Sequence, residues 1–132
     1  MQIDNMVIAT ARQCLTHICN HERYTHIGLA GMCEPACDLL IRELNKNSIK
    51  ASKHHGWCLY DSCDGVSGEP CAPHFYVLVH KGRERWYLDI TATQFQIFLE
   101  RAVTPIIYQK EKPYWFRPQK PSLREMEYHA GY

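Results

Sequence analysis

The chain has 132 residues, 45% of them hydrophobic, which is enough for one compact domain with a buried core and too few for two. Fifteen Lys and Arg against fourteen Asp and Glu leave a formal net charge of +1, so composition supplies no basic field for nucleic acid or an anionic membrane surface. Met1 to Asn5 form no basic leader, and no stretch approaches the roughly 18 apolar residues of a membrane span, so the protein is expected in the cytoplasm or delivered to a target cell without a signal peptide.

From Ile3 to Cys19, the residues Ile3, Met6, Val7, Ala11, Cys14, Leu15 and Ile18 mark one face of an amphipathic helix. Cys14 and Cys19 then read as small core residues. His17 and His21, four apart, raise a metal pair against the commoner alternative of a solvated polar face. Asn20 to Met32 reads as a loop in which Gly28 and Gly31 free the backbone just ahead of Cys33. A second helix is predicted from Cys33 to about Asn47, with Pro35 in its first turn and Ala36, Leu39, Leu40 and Leu44 as its buried stripe. Strand candidates follow at Ile49 to Ala51 and at Trp57 to Tyr60. Asp61 to Pro73 is loop by composition.

The clearest β signal is His74 to His80, a turn at Lys81 to Glu84, and Arg85 to Ile90, which together predict a hairpin. Thr91 to Arg101 reads as a short helix or irregular turn, Pro105 to Tyr108 as a strand, and 109–132 as a Pro-rich surface tail. Helices first and an antiparallel sheet afterwards make the expected class α+β, in a single domain over 1–132.

Seven cysteines, at 14, 19, 33, 37, 58, 63 and 71, are an odd number, which favours reduced thiols over a disulfide framework. Cys33 stands where a loop becomes a helix. There the unpaired N–H groups and the macrodipole favour a thiolate, so Cys33 is the expected nucleophile. Cys37, one turn on, is the competitor, set deeper in the helix. A cysteine nucleophile needs a base and a group that orients the base. His74 and Asp89 lie at the same end of the predicted hairpin, and the period-two rule allows their side chains to share a face.

The run Cys33-x-x-Ala36 with Leu39 and Leu40, then His74-Phe75-Tyr76-Val77, then Trp86-Tyr87-Leu88-Asp89-Ile90-Thr91-Ala92-Thr93-Gln94-Phe95, resembles the papain-like cysteine hydrolases. The closest likeness is to their bacterial protein-glutamine deamidase branch, which includes a toxin catalytic domain, effector deamidases and protein-glutaminases. The resemblance runs from about Gly31 to Tyr108, and its spacings of 41 residues from Cys33 to His74 and 15 from His74 to Asp89 look like that branch. It implies a papain-like fold, with Cys33 as nucleophile, His74 as base and Asp89 as orienting acid. Papain has a glutamine shortly before its cysteine, where Ile27 stands here. The oxyanion donors would then be the Cys33 N–H and an N–H in the Gly28 to Met32 segment. Gly31, Met32 and Gln94 are the expected substrate contacts, although Gln94 also suits a cap on the turn after Asp89.

The expected activity is thiol hydrolysis of an amide, with a protein glutamine side chain as first substrate, a peptide bond next and transfer to an amine third. No cofactor is expected, and a protein or peptide is the expected partner of a monomeric chain. The rival class is a non-catalytic cysteine-rich module in which Cys58, Cys63, Cys71 and His74 ligate zinc. Arg83, Arg85 and the basic residues of the tail read as solvated charge.

Overall fold

The computed structural model describes residues 2–20, 32–61, 71–122 and 124–126. The readings made for His21, Gly28, Gly31 and Cys63 lie outside these residues. The elements are α1 (Ile3–Cys19), α2 (Cys33–Lys46), β1 (Ala51–Leu59), β2 (Cys71–Lys81), β3 (Glu84–Asp89), a 3₁₀ helix (Ala92–Phe98), β4 (Ile107–Gln109) and β5 (Phe116–Arg117). The strands form one antiparallel sheet in the order β4-β3-β2-β1-β5. The fold is therefore α+β, with no helix among the described residues long and apolar enough to cross a membrane.

The stripes predicted for the two helices are the ones that are buried. Val7, Ala11, Cys14 and Ile18 of α1 meet Ala36, Cys37, Leu40 and Leu44 of α2, and both helices close over Val77, Val79, Leu88 and Ile90 of the sheet. Helix α2 ends on Ser48 in the left-handed region, whose N–H donates to the Asn45 carbonyl while that of Ile49 donates to Leu44. This paired C-terminal closure normally uses glycine, and the contact between buried Ile49 and Leu44 accompanies it.

The opposite sheet face carries a second cluster that includes Tyr76, Tyr87, Phe95, Trp115 and Phe116. Trp115 and Phe116 lie in the stretch read as a surface tail, yet both are buried. The Leu59 N–H donates to the Trp115 carbonyl, and β5 pairs with β1 through Trp57–Arg117 and Cys58–Phe116. Two residues of strand are too few to produce a readable periodicity, and Pro113 just ahead reads as a break. Their burial is decided by the aromatic surface that β2 and β3 present.

The two strand candidates at 49–51 and 57–60 are instead one strand, β1. Lys53 to Gly56 interrupt any apolar pattern, but they are held in register along β2 from Ala51–Val79 to Leu59–Cys71. Lys53 also reaches α2, binding Glu34 at 2.9 Å and Asp38 at 3.0 Å. Gly56 is required by packing: a β-carbon there would overlap the Phe116 ring and lie 2.9 Å from the Arg117 carbonyl oxygen. We expect Gly56→Ala to cost about 1–3 kcal/mol in a denaturant titration through forced displacement of β5. An unchanged midpoint would show that β5 yields freely.

Strand β2 begins at Cys71, within the stretch read as loop. Its Pro73 is tolerated for a reason visible in the ladder. The His80 N–H donates to the Lys50 carbonyl on the β1 side, so alternation turns the main-chain groups of odd-numbered residues away from β1. The pairing with β3 starts only at Val77–Leu88, so Pro73 stands where that side of β2 is an edge and no ladder donor is lost. The hairpin turn itself is Gly82-Arg83, with Gly82 at φ 59° at the first central position, as a two-residue turn of the II′ type demands.

Candidate active site

Cys33 is the first residue of α2 and half-buried. Met32 precedes it without a side-chain cap, so helix-start N–H groups are left unclaimed by any capping side chain. Glu34, an acid in the same turn, would oppose a thiolate, but its carboxylate is bound by Lys53. Burial pushes the Cys33 thiol up. The His74 hydrogen bond, the Phe75 N–H, the His74 charge and the Glu34 N–H outweigh burial, and the thiol lies below its ordinary range. The part played by Phe75 follows from the ladder. Its N–H turns away from β1 at a rung where β3 has already ended, so it faces the sulfur instead of a strand.

His74 is 0% exposed and Asp89 2%. His74 lies on the β2 face that carries Tyr76, and Asp89 on the β3 face that carries Tyr87, so the two share a face. His74 Nε2 and Asp89 Oδ2 are 2.5 Å apart. Asp89 Oδ2 also accepts from the Tyr87 hydroxyl at 2.9 Å. Its Oδ1 accepts from the Thr91 N–H at 2.9 Å and the Thr91 hydroxyl at 3.3 Å. Burial alone would push Asp89 up and His74 down, but each is overcome by the other. The Asp89 carboxyl lies below its ordinary value, and His74 is raised to about 9 by Asp89 first and Cys33 second. Asp89 thus favours the carboxylate and His74 the imidazolium, and the Cys33 thiol beside them is shifted toward its thiolate.

With Nε2 held by Asp89, the Nδ1 atom of His74 is the nitrogen left for chemistry. It is buried and has no hydrogen-bond partner of good geometry. The ring edge meets Phe95 in a T-shaped contact at 4.9 Å, and Phe95 in turn packs on Trp115 at 6.3 Å. The aromatic layer under the histidine is thus completed by the C-terminal segment.

The remaining predicted site residues are placed differently. The Met32 side chain is in the core between the helices, so only its main chain is available to a substrate. Its carbonyl accepts the Ala36 N–H at 2.9 Å. Gln94 lies in the 3₁₀ helix, and its N–H closes the turn onto the Thr91 carbonyl at 3.1 Å. Its side-chain Nε2 is buried without a partner. Cys37 is 4% exposed and burial pushes its thiol far up, which sets it apart from Cys33. Of the four residues considered for zinc, Cys58 packs with Tyr76 and Phe116, Cys71 packs with Leu59 and Met126, and His74 is held by Asp89. Among the described residues no group of three or more His, Cys, Asp or Glu is arranged to hold a metal ion.

Tyr87, Thr91, Phe75 and Phe95 stand in the runs that carry the resemblance, but the sequence assigns them no role. The Asp89-x-Thr91 spacing is a readable signal for a carboxylate bonding the N–H two residues on. Tyr87 two residues before Asp89 is readable as a neighbour on one strand face. The Phe75 N–H has no sequence signal, because it depends on where a neighbouring strand stops. Comparison with known protein families, with curated proteins and with solved structures finds no match.

Proposed function

We propose that the protein is a papain-like thiol hydrolase acting on an amide, with Cys33 as nucleophile, His74 as acid and base, and Asp89 as the group that orients the imidazole. The observation that carries this reading is the buried His74 ring, fixed at Nε2 by Asp89, whose interaction with Cys33 lowers the thiol at a helix start. The proposed substrate is a glutamine side chain in a protein.

The Cys33 thiolate attacks the amide carbon, and the C=O π electrons move onto oxygen to give a tetrahedral oxyanion. The Cys33 N–H, at the first helical residue, is one donor to that oxyanion, and a main-chain N–H in the segment 28–32 is the other. Gln94 Nε2, buried and unpartnered, is proposed to donate to the bound acyl group. Collapse breaks the C–N bond as His74 delivers its Nδ1 proton, and ammonia leaves. Water then gives a proton to the neutral imidazole and attacks the thioester, releasing glutamate and regenerating the thiolate–imidazolium pair. Tyr87 and Thr91 act as positioning residues by holding Asp89.

The test is incubation of the purified chain with a mixed protein extract, followed by peptide mass spectrometry. The expected product is glutamate at particular glutamines together with free ammonia, absent with Cys33→Ala. Chain cleavage at defined bonds would assign a peptidase, and amine incorporation a transglutaminase. Absence of all three products would refute the reading.

A further inference from the structure

At the other end of β2, six residues from His74 and so roughly 20 Å along the strand, lies a second constellation of a different kind. Lys50, His80 and Arg85 stand on one rung of the sheet. His80 pairs directly with Arg85 across β2 and β3, and its N–H donates to the Lys50 carbonyl at 2.9 Å on the other side. Directly opposed residues project to the same face, and like charges placed so repel. They border a recess of about 410 Å³ whose walls include Ser48, Ile49 and Gly82.

Several basic side chains have acidic partners: Lys81 binds Asp4 at 2.8 Å, Lys110 binds Glu84 at 2.7 Å, and Lys53 binds Glu34 and Asp38. The acids next in sequence to the lining residues, Asp4 beside Ile3 and Glu84 beside Arg85, are thus already engaged. Among the described residues Lys50 and Arg85 have no acidic partner. Arg85 instead spends one Nη on the Gly82 and Glu84 carbonyls at 3.1 and 2.9 Å, which pins the guanidinium to the hairpin and leaves its other donors unspent.

His80 is anchored as well. Its Nε2 lies 3.0 Å from the Ser52 hydroxyl, which lies 2.8 Å from His54 Nε2. The hydroxyl can donate to one imidazole and accept from the other, and Nδ1 is the His80 nitrogen left for a ligand. Burial, then Arg85, His54 and Lys50, hold His80 below its ordinary value, as expected for cations gathered without a counter-ion.

We propose that this recess binds a phosphate-type oxyanion, with Lys50 and Arg85 supplying charge and His80 a hydrogen bond. The ligand is a free phosphate ion or a phosphomonoester. The same electrostatics disfavour a divalent cation on the two histidines, although His54 and His80 converge on one hydroxyl. The inference does not depend on Cys33 chemistry.

The experiment is an NMR titration of the His80 imidazole in the intact protein, in inorganic phosphate and in sodium chloride of matched ionic strength. Phosphate should move the His80 midpoint upward by roughly one pH unit, a tenfold gain in proton affinity, along a saturable curve. Lys50→Gln and Arg85→Gln, each exposed at the surface, should each weaken phosphate binding by about tenfold. Phosphoserine binding more tightly than phosphate would assign the monoester, and the reverse order the free ion. Equal His80 midpoints in phosphate and chloride, or binding unaffected by both substitutions, would overturn the proposal. Should one variant lose its fold, the other and the wild-type titration still decide.

Discussion

Replacing Cys33 with alanine should lower amide hydrolysis by at least about a thousand-fold while leaving the unfolding midpoint close to that of the wild type. The rate effect follows from the removal of the helix-start thiol that His74 holds below its ordinary range. Burial raises Cys14 to about 11 and pushes Cys37 and Cys58 further. The small stability effect follows because Cys33 is half-buried at a helix start and is not a member of the core cluster that contains Cys37. Cys37→Ala should do the opposite, retaining the rate and losing about 1–2 kcal/mol of stability through a small cavity. Brief low-dose iodoacetamide, read by intact mass and peptide mapping, should modify Cys33 first. A silent Cys33→Ala beside an inactive Cys37→Ala would move the nucleophile one turn along the helix, and two silent variants would end the thiol mechanism.

Asp89→Ala should cost about 3–5 kcal/mol, because it leaves a buried imidazole without its charge partner. The Tyr87 hydroxyl and the Thr91 N–H lose their acceptor in the same step. Urea denaturation measures the loss, and a cost below about 1 kcal/mol would mean that the pair is not buried as described. Asp89→Asn keeps the shape and an acceptor oxygen. It should fold better than Asp89→Ala, yet hydrolyse at least about a hundredfold more slowly than wild type, since the imidazolium loses its counter-charge.

The same pair predicts a stability window in pH. His74 is raised in the folded state, so its contribution is complete below its unfolded value of about 6.5 and is lost as pH rises toward about 9. Asp89 is lowered, so its contribution is complete above its unfolded value of about 3.9 and is lost as pH falls through the lower native value. Cys33, also lowered, adds stability above its unfolded value and partly offsets the alkaline loss from His74. Thermal midpoints of Cys33→Ala should therefore fall more steeply from pH 6.5 to 9.5 than those of the wild type. Identical alkaline slopes in the two proteins would contradict the coupling of Cys33 to His74. For the rate, thiolate and imidazolium must coexist, so activity should rise through the lowered Cys33 value and decline as His74 loses its proton near pH 9.

What was legible from residues alone was whatever depends on spacing within one element. Val7, Ala11, Cys14 and Ile18, and Ala36, Leu40 and Leu44, could be assigned to buried stripes because a helix repeats its face every three to four residues. Cys33 at a helix start, the β2–β3 hairpin and the class α+β are of the same kind. The interaction of Cys33, His74 and Asp89 could be anticipated only as a possibility, because register decides whether two strand residues share a face.

Tertiary structure alone decided the rest. It joined 51–59 into one strand, buried Trp115 and Phe116 under the sheet, and required glycine at position 56. It also aimed the Phe75 N–H at the thiol and closed four hydrogen bonds on Asp89. Each of these depends on a strand ending, or on a surface supplied by residues distant in the chain, and local periodicity carries no record of either.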